Sequence, residues 1–342
     1  MRGKGINYDT GFFPAGKDSR PAFDPDIVRQ EMRIIAEDLH CTAVRISGGD
    51  PERLSIAARH AAAAGLEVWF APFPCELTTG QLLPFFADCA DRAEELRRSG
   101  AEIVLVLGCE LSLFAAGFLP GENVYERIAA IGSGDPKLWA DFSRILSELN
   151  DFLAKAAIVA RAGFGGRITY ASGTWERVDW QPFDIVAVDA YRDADNAADF
   201  GEKLRERYVG GGKPLAVTEF GCCAYEGAAA RGGMGWAIVD YTADPPRLDG
   251  DYRRSEAEQV DYLNELLQIF EQAGVDTAFW FTFAAFAAPH HPDDPRADQD
   301  MAGYGVVKML PVGKESGEGA SCPGLRWEPK EVFHALAVAY SA

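Results

Sequence analysis

Short, nearly uninterrupted apolar runs recur along the chain at 43–46, 67–71, 103–107, 168–171, 185–188, 215–217 and 277–281, with 3–7 as a candidate first run. Strands buried on both faces of a parallel sheet read this way, because neither face alternates with solvent. The segments between them carry helix signals. Asp24-Pro25 and Asp50-Pro51 each set a capping carboxylate before a proline in the first turn. After the first of these, Ile27, Val28, Ile34, Ile35 and Leu39 repeat at helical spacing. Ser255 and Glu258 have the spacing of a reciprocal capping box ahead of Val260, Leu263, Leu266 and Ile269. Trp139, Phe142, Leu146, Leu149 and Leu153 form a further stripe, expected to face a core.

Eight strands with helices between them, at roughly forty residues per unit, predict a single (β/α)8 TIM barrel over residues 1–342. An open doubly wound sheet is the alternative. It would require a glycine-rich phosphate turn after its first strand, and Gly3-Lys4-Gly5 falls before that strand ends. The stretches 111–137 and 221–254 exceed ordinary βα connections, and a loop containing His290 and His291 follows the last strand. Extended βα loops are therefore expected after strands 4, 7 and 8, where they would shape a substrate face. Gly210-Gly211-Gly212 reads as a simple loop.

Composition narrows the partners. Over 342 residues, 33 basic against 52 acidic side chains leave a net charge of −19. Without a run of Lys and Arg, so acidic a chain is a poor ligand for nucleic acid or an anionic membrane surface. No window approaches the ~18 apolar residues of a membrane span. Basic residues at the amino terminus lack the apolar stretch of a secretory signal behind them. The cysteines (Cys41, Cys75, Cys89, Cys109, Cys222, Cys223 and Cys322) are odd in number and scattered, which predicts reduced thiols in a cytoplasmic protein. Cys222-Cys223 reads as packing.

In a barrel, the residues just past each strand's carboxyl end face the active site. Two carboxylates stand there directly after apolar strands, Glu110 after the fourth and Glu219 after the seventh. Burying a charge at such a place without a task is costly. Strands 4 and 7 lie across the mouth from one another, so the pair can converge. Glycosidic bond cleavage needs such a pair: one carboxyl group neutral to protonate the leaving oxygen, the other ionised to attack the anomeric carbon. Each negative charge raises its neighbour's affinity for a proton, which helps divide the two roles. The adjacent His290-His291 lacks the spacing of a zinc site, and His40, His60 and His334 add no strand-end ligand, so neither metal nor cofactor is expected.

Several segments resemble the clan A, or 4/7, retaining glycoside hydrolases: Gly5-Ile6-Asn7-Tyr8, Val44-Arg45-Ile46, Gly108-Cys109-Glu110, Val217-Thr218-Glu219-Phe220-Gly221 and Phe279-Trp280-Phe281. The resemblance implies that Glu219 is the nucleophile and Glu110 the acid/base, with a carbohydrate substrate. It also implies that Arg45 lies beneath the nucleophile, that Trp280 forms an aromatic floor, and that Tyr191 orients Glu219. Asn7, Tyr8, Cys109, Trp175 and Asp189 complete the expected substrate-binding set. Clan members usually carry Asn where this chain has Cys109, and a thiol is a weak hydrogen-bond partner. That departure bears on which sugar is bound. Two alternatives remain open at this stage: a catalytically silent carbohydrate-binding barrel, and a transglycosylase sharing the covalent intermediate.

Overall fold

A computed structural model describes residues 1–316 and 324–342, so Cys322 lies outside the described residues. Eight parallel strands close into a barrel. They are β1 (Gly3–Asp9), β2 (Ala43–Gly48), β3 (Glu67–Pro72), β4 (Ile103–Cys109), β5 (Arg167–Gly173), β6 (Val186–Asp189), β7 (Leu215–Phe220) and β8 (Thr277–Trp280). Each strand pairs with its sequence neighbour, and β1 closes the ring on β8 through the register Gly3 to Thr277 and Ile6 to Trp280. The (β/α)8 expectation is met.

The apolar runs are uninterrupted because every barrel strand has two buried faces. Ala43, Trp69, Val104, Val106, Ala187 and Phe279 fill the lumen. Their alternates Val44, Val68, Phe70, Leu105, Val188 and Ala278 pack under the helices. Gly5 is required at its place in β1, since a Cβ there would meet the Phe279 ring at 2.4 Å.

The proline-started helices form as the capping signals predict. In α1 (Pro25–Glu37) the Asp24 carboxylate accepts from Asp26 N, and in α2 (Pro51–Ala63) the Asp50 carboxylate accepts from Glu52 N and Arg53 N. α3 (Thr79–Arg98) covers β3 and β4. The β4 connection holds the short α4 (Leu111–Phe114), α5 (Val124–Gly132) and the long α6 (Pro136–Gly163). α7 (Phe200–Tyr208), α8 (Glu256–Ala273) and α9 (Glu331–Ser341) complete the helical layer. α9 is tied back to β1, where Tyr340 Oη donates to the Gly5 carbonyl at 3.1 Å and Lys4 Nζ to the Tyr340 carbonyl at 2.9 Å.

Two local expectations are corrected. Ser255 does cap α8, accepting from Glu258 N at 3.2 Å, but the box is not reciprocal. The Glu258 carboxylate instead accepts from Ala229 N at 3.1 Å, and Ser255 N bonds the Ala224 carbonyl, because the β7 connection folds back onto this helix end. In α6, Leu146, Leu149 and Leu153 are buried but Trp139 is 47% exposed, lining with Phe142 and Leu146 a second, open cavity beside Trp175 rather than the core.

The long connections lie where expected. The β7 connection carries a 3-10 segment (Ala228–Met234) and a two-stranded ribbon of Val239–Asp240 and Arg247–Leu248. After β8, Ala284–Pro289, Val307–Met309 and Trp327–Pro329 form a small separate sheet. Among the described residues, no helix is long and apolar enough to cross a membrane. Cys222, Cys223 and Cys89 are fully buried free thiols, and Cys41 and Cys109 are nearly so.

Candidate active site

Strand parity selects which residues reach the mouth of the barrel, because successive side chains leave a strand on opposite faces. On β1, Ile6 and Tyr8 face outward and Asn7 faces the lumen beside Arg45 of β2, its registered neighbour. Asn7 Nδ2 donates to the Thr218 carbonyl at 2.8 Å and its Oδ1 accepts from Arg45 Nη1 at 2.8 Å. Arg45 Nη1 also donates to Glu219 Oε1 at 2.7 Å, forming an ion pair at the barrel floor. Burial by itself would lower the Arg45 pKa, but the neighbouring Cys109, Glu219 and Asp189 outweigh it and raise it.

Three further side chains surround Glu219. Tyr191 Oη donates to its Oε2 at 3.0 Å. The Cys109 thiol lies 3.3 Å from Asp189 Oδ2 and 3.6 Å from Glu219 Oε1, so its single proton can serve one carboxylate at a time. Burial, then the charge of Glu219, raises the Asp189 carboxyl well above the usual carboxylate range, against the pull of Arg45.

Glu110 is built differently. It directly follows β4 and caps α4, its backbone left-handed at φ 42°. That conformation is held by Glu110 N donating to the Ala171 carbonyl at 2.9 Å and by Leu113 N and Phe114 N donating to the Glu110 carbonyl. No hydrogen bond to its carboxylate occurs among the described residues, although the group lines the cavity. Burial first, then the negative charges of Asp189, Glu219 and Glu176, raises its pKa well above the ordinary value, with Arg45 opposing.

A cavity of about 640 Å³ opens above these groups. Arg45, Cys109, Glu110, Trp175, Asp189, Tyr191 and Glu219 all line it, so the sequence-expected set converges with three exceptions. Asn7 is buried beneath Arg45 and positions it. Tyr8 faces outward, its hydroxyl donating to Glu31 under α1. Trp280 is fully buried on the outer face of β8, packed edge-on against Phe220 with its Nε1 on the Tyr304 carbonyl at 3.0 Å. The aromatic ring that reaches the cavity is the next residue, Phe281, beside Tyr304. Parity along β1 and β8 accounts for both corrections.

Glu176 went unmarked in the sequence because it lies in a loop with no adjacent pattern. It is buried and accepts from Ser112 N, Tyr170 Oη and Gly173 N at 3.0, 2.8 and 3.2 Å. These bonds fasten the β5 connection to α4 and hold Trp175, whose Nε1 donates to Ser112 Oγ at 3.1 Å. Gly173 is needed under that ring, as a Cβ would stand 2.5 Å from it.

Among the described residues, two clusters have donor sets that could hold a metal: Cys109, Asp189 and Glu219, and separately His290, Asp298 and Asp300. Each already contains a cation from the chain. Arg45 pairs with Glu219, while Arg254 and Lys330 bridge to Asp298 and Asp300.

The barrel and its strand-end site define a (β/α)8 protein with Glu110, Asp189 and Glu219 among the carboxylates facing one cavity. No protein-family model matches the chain, and no curated protein does. Solved structures do share the fold. A GH113 β-1,4-mannanase aligns at a TM-score of 0.62 and 12% identity, covering 100% of this chain and 99% of its own. A GH113 β-mannanase from Alicyclobacillus acidocaldarius in complex with ManMIm aligns at 0.61 and 17% identity, with coverage of 99% and 97%. A family 1 β-glucosidase from Thermotoga maritima in complex with isofagomine lactam aligns at 0.52 and 11% identity, covering 93% and 86%.

Proposed function

We propose that this chain is a glycoside hydrolase that cleaves an O-glycosidic bond with retention, Glu219 acting as nucleophile and Glu110 as acid/base. One observation carries the reading: of the four strand-end carboxylates that line the cavity, Asp9, Glu110, Asp189 and Glu219, the pair Glu110 and Glu219 stands in opposed environments. Glu219 is paired with Arg45 and oriented by Tyr191. Glu110 has no donor among the described residues and an environment that favours its protonated form. The activities named for the fold neighbours, mannanase and glucosidase, support the same class.

In the first step a Glu219 oxygen bonds to the anomeric carbon while Glu110 gives its proton to the glycosidic oxygen, whose bond to that carbon breaks. In the second step the Glu110 carboxylate takes a proton from water, the water oxygen bonds to the same carbon, and the ester to Glu219 breaks. Both carboxyl groups return to their starting states, and two inversions leave the configuration retained. A sugar acceptor in place of water would give transglycosylation. With Cys109 turned toward Asp189 and Glu219, the usual amide at that position has no direct replacement, and Asp189 is the nearest polar group to take over its contact with the sugar.

The test is a screen on 4-nitrophenyl glycosides followed by Glu219→Ala. The variant should lose about three or more orders of magnitude in kcat and recover part of that with azide, giving a glycosyl azide of inverted configuration. Retention of most activity without azide would overturn the assignment.

A further inference from the structure

We propose that the leaving group expelled from this site is an apolar alkyl or aryl aglycone rather than a second sugar. The inference rests on the hydrolase reading and names its substrate class. A group protonated by Glu110 must depart along the wall that Glu110 belongs to, which is the β4 connection. From that connection Leu113, Phe114, Ile128 and Ile131 line the cavity, and Met234 and Val239 of the β7 connection face them. The Tyr125 and Trp236 rings, 6.2 Å apart, join the two walls.

A sugar subsite requires free donors and acceptors for several hydroxyl groups, because a hydroxyl buried without a partner is costly. Four polar side chains that line the cavity from the β1, β6 and β8 connections are held within the protein. Ser19 Oγ donates to Asp9 at 2.6 Å and accepts from Phe12 N at 3.0 Å. Asn196 Nδ2 donates to the Tyr191 carbonyl at 3.1 Å and its Oδ1 accepts from Asp193 N at 2.9 Å. Gln299 Nε2 donates to the Pro246 carbonyl at 2.9 Å, and Thr282 Oγ1 to the Asn7 carbonyl at 2.9 Å. Thr174 and Arg231 also line the cavity, at exposed positions. The cavity is thus divided. Its floor is charged and hydrogen-bonding, suited to one sugar ring, and its outer walls are mainly apolar, their polar groups being Arg231 and the tips of Tyr125, Trp236 and Tyr241. Met234 remains 48% and Tyr241 50% exposed at the mouth, surface that an apolar aglycone would cover.

Alkyl glycosides separate this from a second sugar subsite, since their alkoxide leaving groups have nearly equal basicity and differ only in apolar length. Using the sugar chosen by the nitrophenyl screen, kcat/KM should rise roughly tenfold or more from methyl to hexyl, each buried methylene being worth up to about a factor of four. The hexyl glycoside should also exceed a disaccharide of the same sugar. Ile128→Ser and, at the exposed position, Met234→Ser should each lower the hexyl-to-methyl ratio of kcat/KM. Equal kcat/KM across the series, or preference for the disaccharide, would overturn the inference and leave the hydrolase reading standing. No turnover of any glycoside would overturn the hydrolase reading, and this inference with it.

Discussion

Glu110 carries two local costs, a left-handed backbone that a non-glycine residue adopts at roughly 1–3 kcal/mol and a partly buried carboxyl group facing the cavity without a donor among the described residues. The second has a definite pH signature. Burial and neighbouring charge raise its folded-state pKa above the unfolded value of roughly 4.3, so the native state binds a proton that the unfolded chain releases. The stability due to this group is full below the unfolded value and is lost as pH rises toward the raised one. Glu110→Gln cannot ionise, so its Tm should exceed that of the wild type by a margin that grows from about pH 4 through neutrality and closes in acid. The same change should remove the basic limb of the bell-shaped kcat/KM profile on a substrate with a good leaving group. A Tm difference independent of pH would show that Glu110 ionises as freely in the fold as out of it.

Among the elements, α5 sets the cavity wall. Arg127 is fully buried; its Nη1 donates to the Leu113 carbonyl at 3.0 Å and its guanidinium pairs with Glu76 in the β3 connection. The other Glu76 oxygen accepts from Val124 N at 3.0 Å, the first residue of α5. One carboxylate therefore fixes both the start of this helix and the cation beneath it. Glu76→Ala leaves the guanidinium buried without its counter-ion and should destabilise the protein by about 3 kcal/mol, the low end for a broken buried pair because Glu76 is partly exposed. Hydrogen exchange across 124–132 should accelerate more than across the barrel strands. Unchanged protection there would mean that α5 is held by its apolar contacts alone.

For the whole molecule, Glu31 of α1 is a junction. Its carboxylate accepts from Tyr8 Oη on β1, from Arg20 at 3.0 Å in the β1 connection, and from Trp327 Nε1 at 2.9 Å near the carboxyl end of the chain. Glu31, Tyr8, Arg20 and Trp327 are all essentially buried. Removing the carboxylate strands a buried guanidinium and two buried donors, so Glu31→Ala should cost about 3–5 kcal/mol in urea unfolding, with Glu31→Gln in between. A loss under about 1 kcal/mol would mean that water replaces the carboxylate at this site.

The sequence by itself determined the barrel and the placement of two carboxylates at its mouth. Eight apolar runs with no polar alternation can be satisfied only by strands covered on both sides, and the aspartate-proline starts of α1 and α2 are local signals that need no partner. Glu110 and Glu219 were legible as site candidates for the same reason, since a carboxylate directly after such a strand stands out from the apolar run before it. Tertiary structure decided the rest. Which of two adjacent residues enters the cavity depends on strand parity: Phe281 rather than Trp280 lines it, and Tyr8 turns away to meet Glu31. Glu176 and Glu76 acquire their roles from backbone amides and a guanidinium remote in sequence, and the apolar outer wall is assembled from two connections more than a hundred positions apart. Periodicity records how a strand is covered; it carries no information about which side chains from distant loops share one space.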